Sequence, residues 1–444
     1  MSRYGKGRTV SGSGKKKRLP LFSIVLIACY LLVTTILLVY LLGDRETIPP
    51  EVETSTQYME ITPMHDPIPF YEPEPKLEED ESVSLPPAVQ VKGIWISSYR
   101  SIDSDFMAEL IDKIDDVNII INTVVLDAKN ENGRVIHLSN DAFANWRPSR
   151  ESDVIQDHSE LVALLKARGI YTIARIACFK DPIGGVRQPQ NAIHDNNGNI
   201  WIDSEGKRWL NPYIRANWYY IAEIALEAAK MGFDEVQLDF VRFPVQGPNI
   251  LNLTFGQTGE VQPKIEVIAE FAGFIRDTMH EVGVRVSADI FAIAGVSTRD
   301  SGHLGQDVRL LLPKLDAISP MIYPSHFAHE GQNERGSVIN GELFPRPALE
   351  PYGVIYHTLQ HYKRHIEQFQ EENPDVPIAV IRPFLQGSND SFLGEGFWIP
   401  YGPEEYRAQI QAVYDAGFEE WLFWNHISDY FVQDRWDAFI VPVQ

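Results

Sequence analysis

The sequence predicts an α/β fold: a (β/α)8 TIM barrel preceded by one N-terminal transmembrane helix and a disordered linker. Three observations lead there. A short β-rich run followed by a helical stretch recurs eight times between residues 91 and 444. Several helical stretches close on glycine just before the next β-rich run, as in "LLKARGIY", "EAAKMGFDEV", "MHEVGVRV" and "VYDAGFEEW", and glycine takes the left-handed cap that turns a helix into the next strand. The turn after the first run, "WISSYRSID", lacks the G-x-G-x-x-G signature of a doubly wound open sheet, the competing architecture. Alternating strands and helices give a parallel sheet covered on both faces. Eight units closing on themselves need roughly 250 residues or more, and the 354 residues from 91 to 444 leave room for long loops.

In chain order, the first segment is a basic tail. Residues 1–20 carry seven basic residues and no acid. Residues 21–42, "LFSIVLIACYLLVTTILLVYLL", carry no charge. About 20 apolar residues span a bilayer as a helix, and no small-residue cleavage site follows, so an uncleaved anchor is expected. Bases before the span and acids after it keep the N-terminus cytoplasmic and place the rest outside the cell membrane. Residues 43–90 are rich in Pro and Glu and hold twelve acids against two bases; such a segment cannot bury enough apolar surface to fold and stays extended. These segments partition the formal charge of −22 so that about −19 falls on residues 91–444. So strong an acid excess argues against a nucleic-acid or anionic-lipid partner. The two cysteines, Cys29 in the span and Cys178 in the folded part, make no internal disulfide, and no Cys/His cluster has zinc spacing.

The eight runs are "VKGIWISSY" (91–99), "NTVVLDAKN" (122–130), "YTIARIACF" (171–179), "DEVQLDFVRF" (234–243), "VRVSADIFAIAG" (284–295), "DAISPMIYPSHF" (316–327), "PIAVIRPFLQG" (377–387) and "EEWLFWNH" (419–426). Barrel enzymes place their chemistry where strands end. Here nearly every run ends polar: Ser97 and Tyr99; Asp127 and Lys129; Arg175; Asp239 and Arg242; Asp289; Tyr323 and His326; Arg382; Trp424 and Asn425. Period-2 alternation puts Val236, Leu238 and Phe240 toward the helices and Gln237 and Asp239 toward the interior. It does the same for Val286, Ala288 and Ile290 against Ser287 and Asp289. The two aspartates therefore converge from adjacent strands, with carboxyls expected roughly 5–6 Å apart. Retaining glycosidases hold two carboxyls about 5–5.5 Å apart and inverting ones about 6.5–9.5 Å apart, and two close acids push their pKa values apart.

Each residue also has a plainer reading. Either aspartate serves equally as one end of a buried ion pair with Arg175 or Arg242. Asp127 fits a substrate hydroxyl or a pair with Lys129. Arg175 and Arg382 fit ion pairs or ligand contacts. Tyr323 fits packing, His326 a surface position, and Trp95, Trp398, Trp421 and Trp424 the core, with Trp424 also placed to stack on a sugar. Long loops after the third and sixth runs are polar, Asn-rich and Trp-bearing, which suits a carbohydrate.

The stretches "KGIWISSY", "LNPYIRANWYYIAEIALEAAKMGFDEVQLDFVRFP", "VSADIFAIAG" and "ISPMIYPSHF" resemble a family of glycoside-hydrolase-like barrels of bacterial proteins, filed largely as a domain of unknown function and distantly similar to α-amylase-type and α-galactosidase-type enzymes. The resemblance covers roughly residues 90–440 and is most specific at "D-F-V-R-F-P". It implies a nucleophilic aspartate at the end of the fourth strand, which maps onto Asp239. The α-amylase-like group carries a glutamate acid/base at the end of the fifth strand, where this chain has Asp289, one methylene shorter. A further late carboxylate of those relatives has no counterpart, because Arg382 stands on the seventh run.

The resulting expectation is a membrane-anchored glycoside hydrolase acting on an extracellular or cell-surface polysaccharide. Asp239 and Asp289 are the catalytic pair. Asp127, Arg175, Arg242, Tyr323, His326, Arg382, Trp424 and Asn425 are substrate contacts, and no cofactor or metal is needed. Two alternatives stay open: a glycan-binding barrel without turnover, and a metal-dependent hydrolase, which would normally place a histidine pair where "WISSY" stands.

Overall fold

A computed structural model of the chain describes residues 84–140, 143, 146, 154–256, 262–327 and 336–441. The expected tail (1–20), membrane helix (21–42) and most of the expected linker (43–90) lie outside them. Among the described residues no helix is long and apolar enough to cross a membrane.

One parallel sheet closes on itself. Its members are β1 (Lys92–Ile96), β2 (Thr123–Lys129), β3 (Tyr171–Ala177), β4 (Glu235–Asp239), β5 (Arg285–Phe291) and β6 (Ala317–Ile322), then β7 (Val380–Ile381), β8 (Phe384–Gln386) and β9 (Trp421–Trp424). Neighbours follow chain order from β1 to β6; β7 and β8 both pair with β6 and share the seventh position, and β9 closes onto β1. The predicted eightfold pattern is therefore present, with one position in two pieces. Pro383 splits it, since proline has no N–H to give the ladder, although its carbonyl still accepts from Leu422 N at 2.9 Å.

The helices between strands carry the apolar outer layer. They include α1 (Ser104–Ile114), α2 (Ser159–Ala167), α3 (Arg215–Lys230), α4 (Lys264–His280), α5 (Pro351–Glu372) and α6 (Pro403–Asp415). Asp103 caps α1 by accepting from Phe106 N at 3.1 Å. Gly232 and Gly417, just past α3 and α6, sit at φ 93° and 90°, where a side chain is disfavoured. Outward strand residues such as Val236, Leu238, Val286, Ala288 and Ile290 join the helices in one large core, as the alternation predicts.

The interior is divided. A smaller apolar cluster holds Val91, Trp95, Val125, Tyr171, Ile173, Tyr323, Phe384 and Leu422. By contrast β4 and β5 send in Glu235, Gln237, Asp239, Ser287 and Asp289, all buried. Residues 84–90, expected as the end of the linker, include contacts with the barrel: Pro86 O accepts from Arg285 Nη2 at 2.7 Å, and Gln90 O accepts from Asn122 Nδ2 at 2.8 Å.

Candidate active site

Register brings the two aspartates together. Leu238 pairs with Ala288, so the next residues along β4 and β5 are Asp239 and Asp289. Asp239 is also the partner of Ala177 on β3, and Asp289 of Ser319 on β6. Strands about 4.8 Å apart set both carboxyls side by side at the C-terminal end of the barrel.

Their environments differ. Asp239 Oδ2 accepts from Arg175 Nε at 2.9 Å and Nη2 at 2.6 Å, and Phe240 N donates to Oδ1. Arg175 also donates from Nη1 to Asp127 Oδ1 at 2.8 Å, and Trp95 Nε1 donates to the same oxygen at 3.0 Å. Asp289, by contrast, has its Oδ1 buried with no hydrogen-bond partner among the described residues. Burial, reinforced by the Asp239 carboxylate, pushes the Asp289 pKa well above the usual carboxylate range, against the opposing pull of Arg175. Burial likewise raises Asp127, with Arg175 opposing. The result is one ion-paired carboxylate beside one carboxyl group whose protonated form is favoured.

An aromatic wall faces these acids. Tyr323 stacks on Trp424 with centroids 5.7 Å apart, Trp424 on Trp95 at 5.7 Å, and His326 meets Tyr323 edge-on at 5.0 Å. Trp424 is half-buried and His326 exposed. Asp239 is 7% and Asp289 2% exposed, so the mouth over the pair is narrow.

Of the expected site residues, Asp127, Arg175, Asp239, Asp289, Tyr323, His326 and Trp424 thus gather at one end. Arg242 lies beside them in a separate cleft. Two residues depart from expectation. Arg382 donates to Glu235 Oε1 and Glu420 Oε2, both at 2.7 Å. Glu235 is the first residue of β4, so Arg382 is tied inside the barrel below the aspartate pair rather than at its mouth. Because Pro383 ends β7, Arg382 lies in mid-position rather than at a strand end. Asn425 is fully buried, donating to Gly387 O at 2.6 Å and to Asp429 and accepting from Ile427 N at 3.2 Å; it shapes the loop after β9. Lys129 pairs not with Asp127 but with Asp181, at 3.2 Å.

Sequence reasoning missed three contributors. Trp95 orients Asp127; its inward parity on β1 was the available signal. Glu131 comes within 3.6 Å of Arg175. Gln306 ties the ends of β4 and β5, donating to Val241 O at 3.3 Å and Asp289 O at 3.5 Å and accepting from Phe291 N at 2.9 Å. It is remote in sequence and left no local signal. Among the described residues no group of three or more His, Cys, Asp or Glu is arranged to hold a metal ion.

No curated protein matches the chain. Among solved structures, the glycoside hydrolase domain of PgaB (BpsB) from Bordetella bronchiseptica aligns with TM-score 0.54 at 14% identity, covering 80% of this chain and 100% of that one. A hypothetical protein from Ruminiclostridium thermocellum ATCC 27405 is 29% identical over 44% of this chain and 97% of its own, with TM-score 0.39. An α-galactosidase from Thermus thermophilus is 12% identical over 81% of this chain and 61% of its own, with TM-score 0.43. The likeness to the Bordetella domain supports the barrel fold alone. The model of the family described as "Putative glycosyl hydrolase domain" matches residues 93–430, most of the chain and every barrel strand but the first residue of β1, and the protein belongs to that family.

Proposed function

We propose that this protein is a glycoside hydrolase held at the outer face of a cell membrane by residues 21–42, acting on an extracellular or cell-surface polysaccharide. The observation that carries the reading is the unequal aspartate pair. Asp239, ion-paired with Arg175, serves as nucleophile or charge stabiliser. Asp289, with its pKa raised by burial and by Asp239, serves as the proton donor to the leaving oxygen. Arg175 and Asp127 fix the carboxylate, while Tyr323 and Trp424 offer ring faces to a sugar. This chemistry calls for no cofactor.

The test is a screen of the full-length protein against bacterial cell-envelope polysaccharides, reading new reducing ends. Wild type releases them, while Asp239→Asn and Asp289→Asn lower turnover at least 100-fold, general acid–base catalysis alone contributing about 10²–10⁴-fold. The near-complete cover over both acids favours a second reading, a glycan-binding barrel without turnover. Unchanged sugar binding together with no wild-type hydrolysis of any glycan would select it.

A further inference from the structure

Beside the aspartate pair, the ends of β4 and β5 enclose a cleft of about 60 Å³ lined by Lys180, Asp203, Trp209, Arg242 and Phe291. Ligand pockets usually measure about 300–1,000 Å³, so this one takes a substituent, not a sugar ring. Its unusual member is Arg242. The residue is 9% exposed, yet among the described residues it makes no ion pair, and its one hydrogen bond runs from Nη1 to Phe243 O at 3.2 Å. Its guanidinium carbon lies 4.4 Å from the Phe291 ring centroid, 4.9 Å from Trp209 and 5.3 Å from Phe240. Rings thus surround the cation, while its remaining N–H groups keep access to the cleft, none of its nitrogens being sealed without a partner.

The acids near enough to act on Arg242, Asp239 first and then Asp203 and Glu205, are bonded elsewhere, Asp239 to Arg175. Asp203 accepts from Glu205 N at 2.9 Å, Lys207 N at 2.8 Å and Trp209 Nε1 at 2.9 Å. Glu205 pairs with Lys180 at 2.9 Å and is 63% exposed. Burial pulls the Arg242 pKa down to about 10, and it stays charged at neutral pH. No carboxylate forms an ion pair with this buried guanidinium among the described residues, although Asp239, Asp203 and Glu205 help to hold its charge against burial; its fork is left free and fits a planar carboxylate or a phosphate oxygen pair.

Resting on the glycosidase reading above, we infer that the glycan carries an acidic substituent, a carboxylate or a phosphate ester, which seats on Arg242 next to the bond that Asp239 and Asp289 attack. Phe240 and Phe291 adjoin those two strand ends, so the anion anchors the sugar adjoining the cleavage point. The domain's distant acids oppose this little, because charges beyond about 8–10 Å are screened at physiological salt, and Lys180 offsets Asp203 and Glu205 within the cleft.

The experiment titrates the full-length protein with matched pairs and reads tryptophan emission, for which Trp209 is a built-in reporter. One arm compares oligogalacturonate with its methyl ester, the other phosphorylated with dephosphorylated malto-oligosaccharide. In at least one arm the anionic member is expected to bind ten-fold or more tightly than its neutral twin. Arg242→Gln should abolish that preference, and Arg242→Lys, which keeps charge and packing but loses the fork, should retain part of it. No anionic preference in either arm, or a preference that survives Arg242→Gln, overturns the inference. Cleavage of neutral glycans with no charge preference sinks this inference alone, whereas anionic binding through Arg242 without any hydrolysis sinks the glycosidase reading and leaves this one standing.

Discussion

At Asp289 function and stability pull in opposite directions. Its folded-state pKa is raised, chiefly by burial, so the folded protein holds a proton that the unfolded chain releases above about pH 4. The stability linked to this group is therefore full below the unfolded pKa and is lost as pH rises toward the folded one, at about 1.4 kcal/mol per pH unit. Asp289→Asn removes that titration. The expected outcome is a variant whose stability gains on wild type as pH rises above about 4, read as a widening gap in Tm. A gap that stays flat with pH would mean that Asp289 is ionised in the fold. Arg175 makes the opposite case. It bridges Asp127 and Asp239, so Arg175→Met leaves two nearly buried carboxylates unanswered. Denaturant titration should show a loss of about 3–5 kcal/mol, the usual penalty for breaking a buried pair from one side.

Among the elements, β1 and the split seventh position show how packing fixes the site. Gly93 lies where β1 meets β2 and β9; an added Cβ would stand 2.7 Å from Thr123 O and 2.9 Å from Leu422 Cδ2. Backbone cannot yield there as a flexible side chain can, so Gly93→Ala should cost about 1–3 kcal/mol by overpacking, measured by urea midpoint. The network of Arg382, Glu235, Glu420 and Tyr171 joins staves far apart in sequence. Arg382→Met should lower Tm by several degrees while KM for any substrate stays within about two-fold, because Arg382 is buried and spent on Glu235 and Glu420 rather than free for a ligand. A raised KM with unchanged Tm would return Arg382 to the ligand. At the end of β4, Phe240 has φ 48°, a conformation disfavoured for a bulky residue. That turn stops the strand directly after Asp239 and sends Arg242 into its own cleft.

For the whole molecule, the proposal of an outward-facing enzyme on a tether makes a simple expectation. Deleting residues 1–42 should move the protein from the membrane pellet to the soluble fraction, with turnover per molecule unchanged. Retention in the pellet would argue for another attachment.

The amino-acid sequence by itself determined the eight alternating units, the helix-ending glycines, the inward facing of Asp239 and Asp289, and their neighbouring strands. Each of these follows from local rules of period 2 and cap geometry, which operate within a few residues. Tertiary structure alone decided which charges pair. Arg175 joins Asp127 and Asp239, Lys129 turns to Asp181, and Arg382 pairs with Glu235 inside the barrel. It also set Arg242 among three rings and, among the described residues, left Asp289 Oδ1 without a hydrogen bond. Such choices depend on barrel closure, which joins Arg382 to Glu235 across 147 residues of chain. Their burial and their distances set the electrostatics, and no local pattern along the chain encodes either.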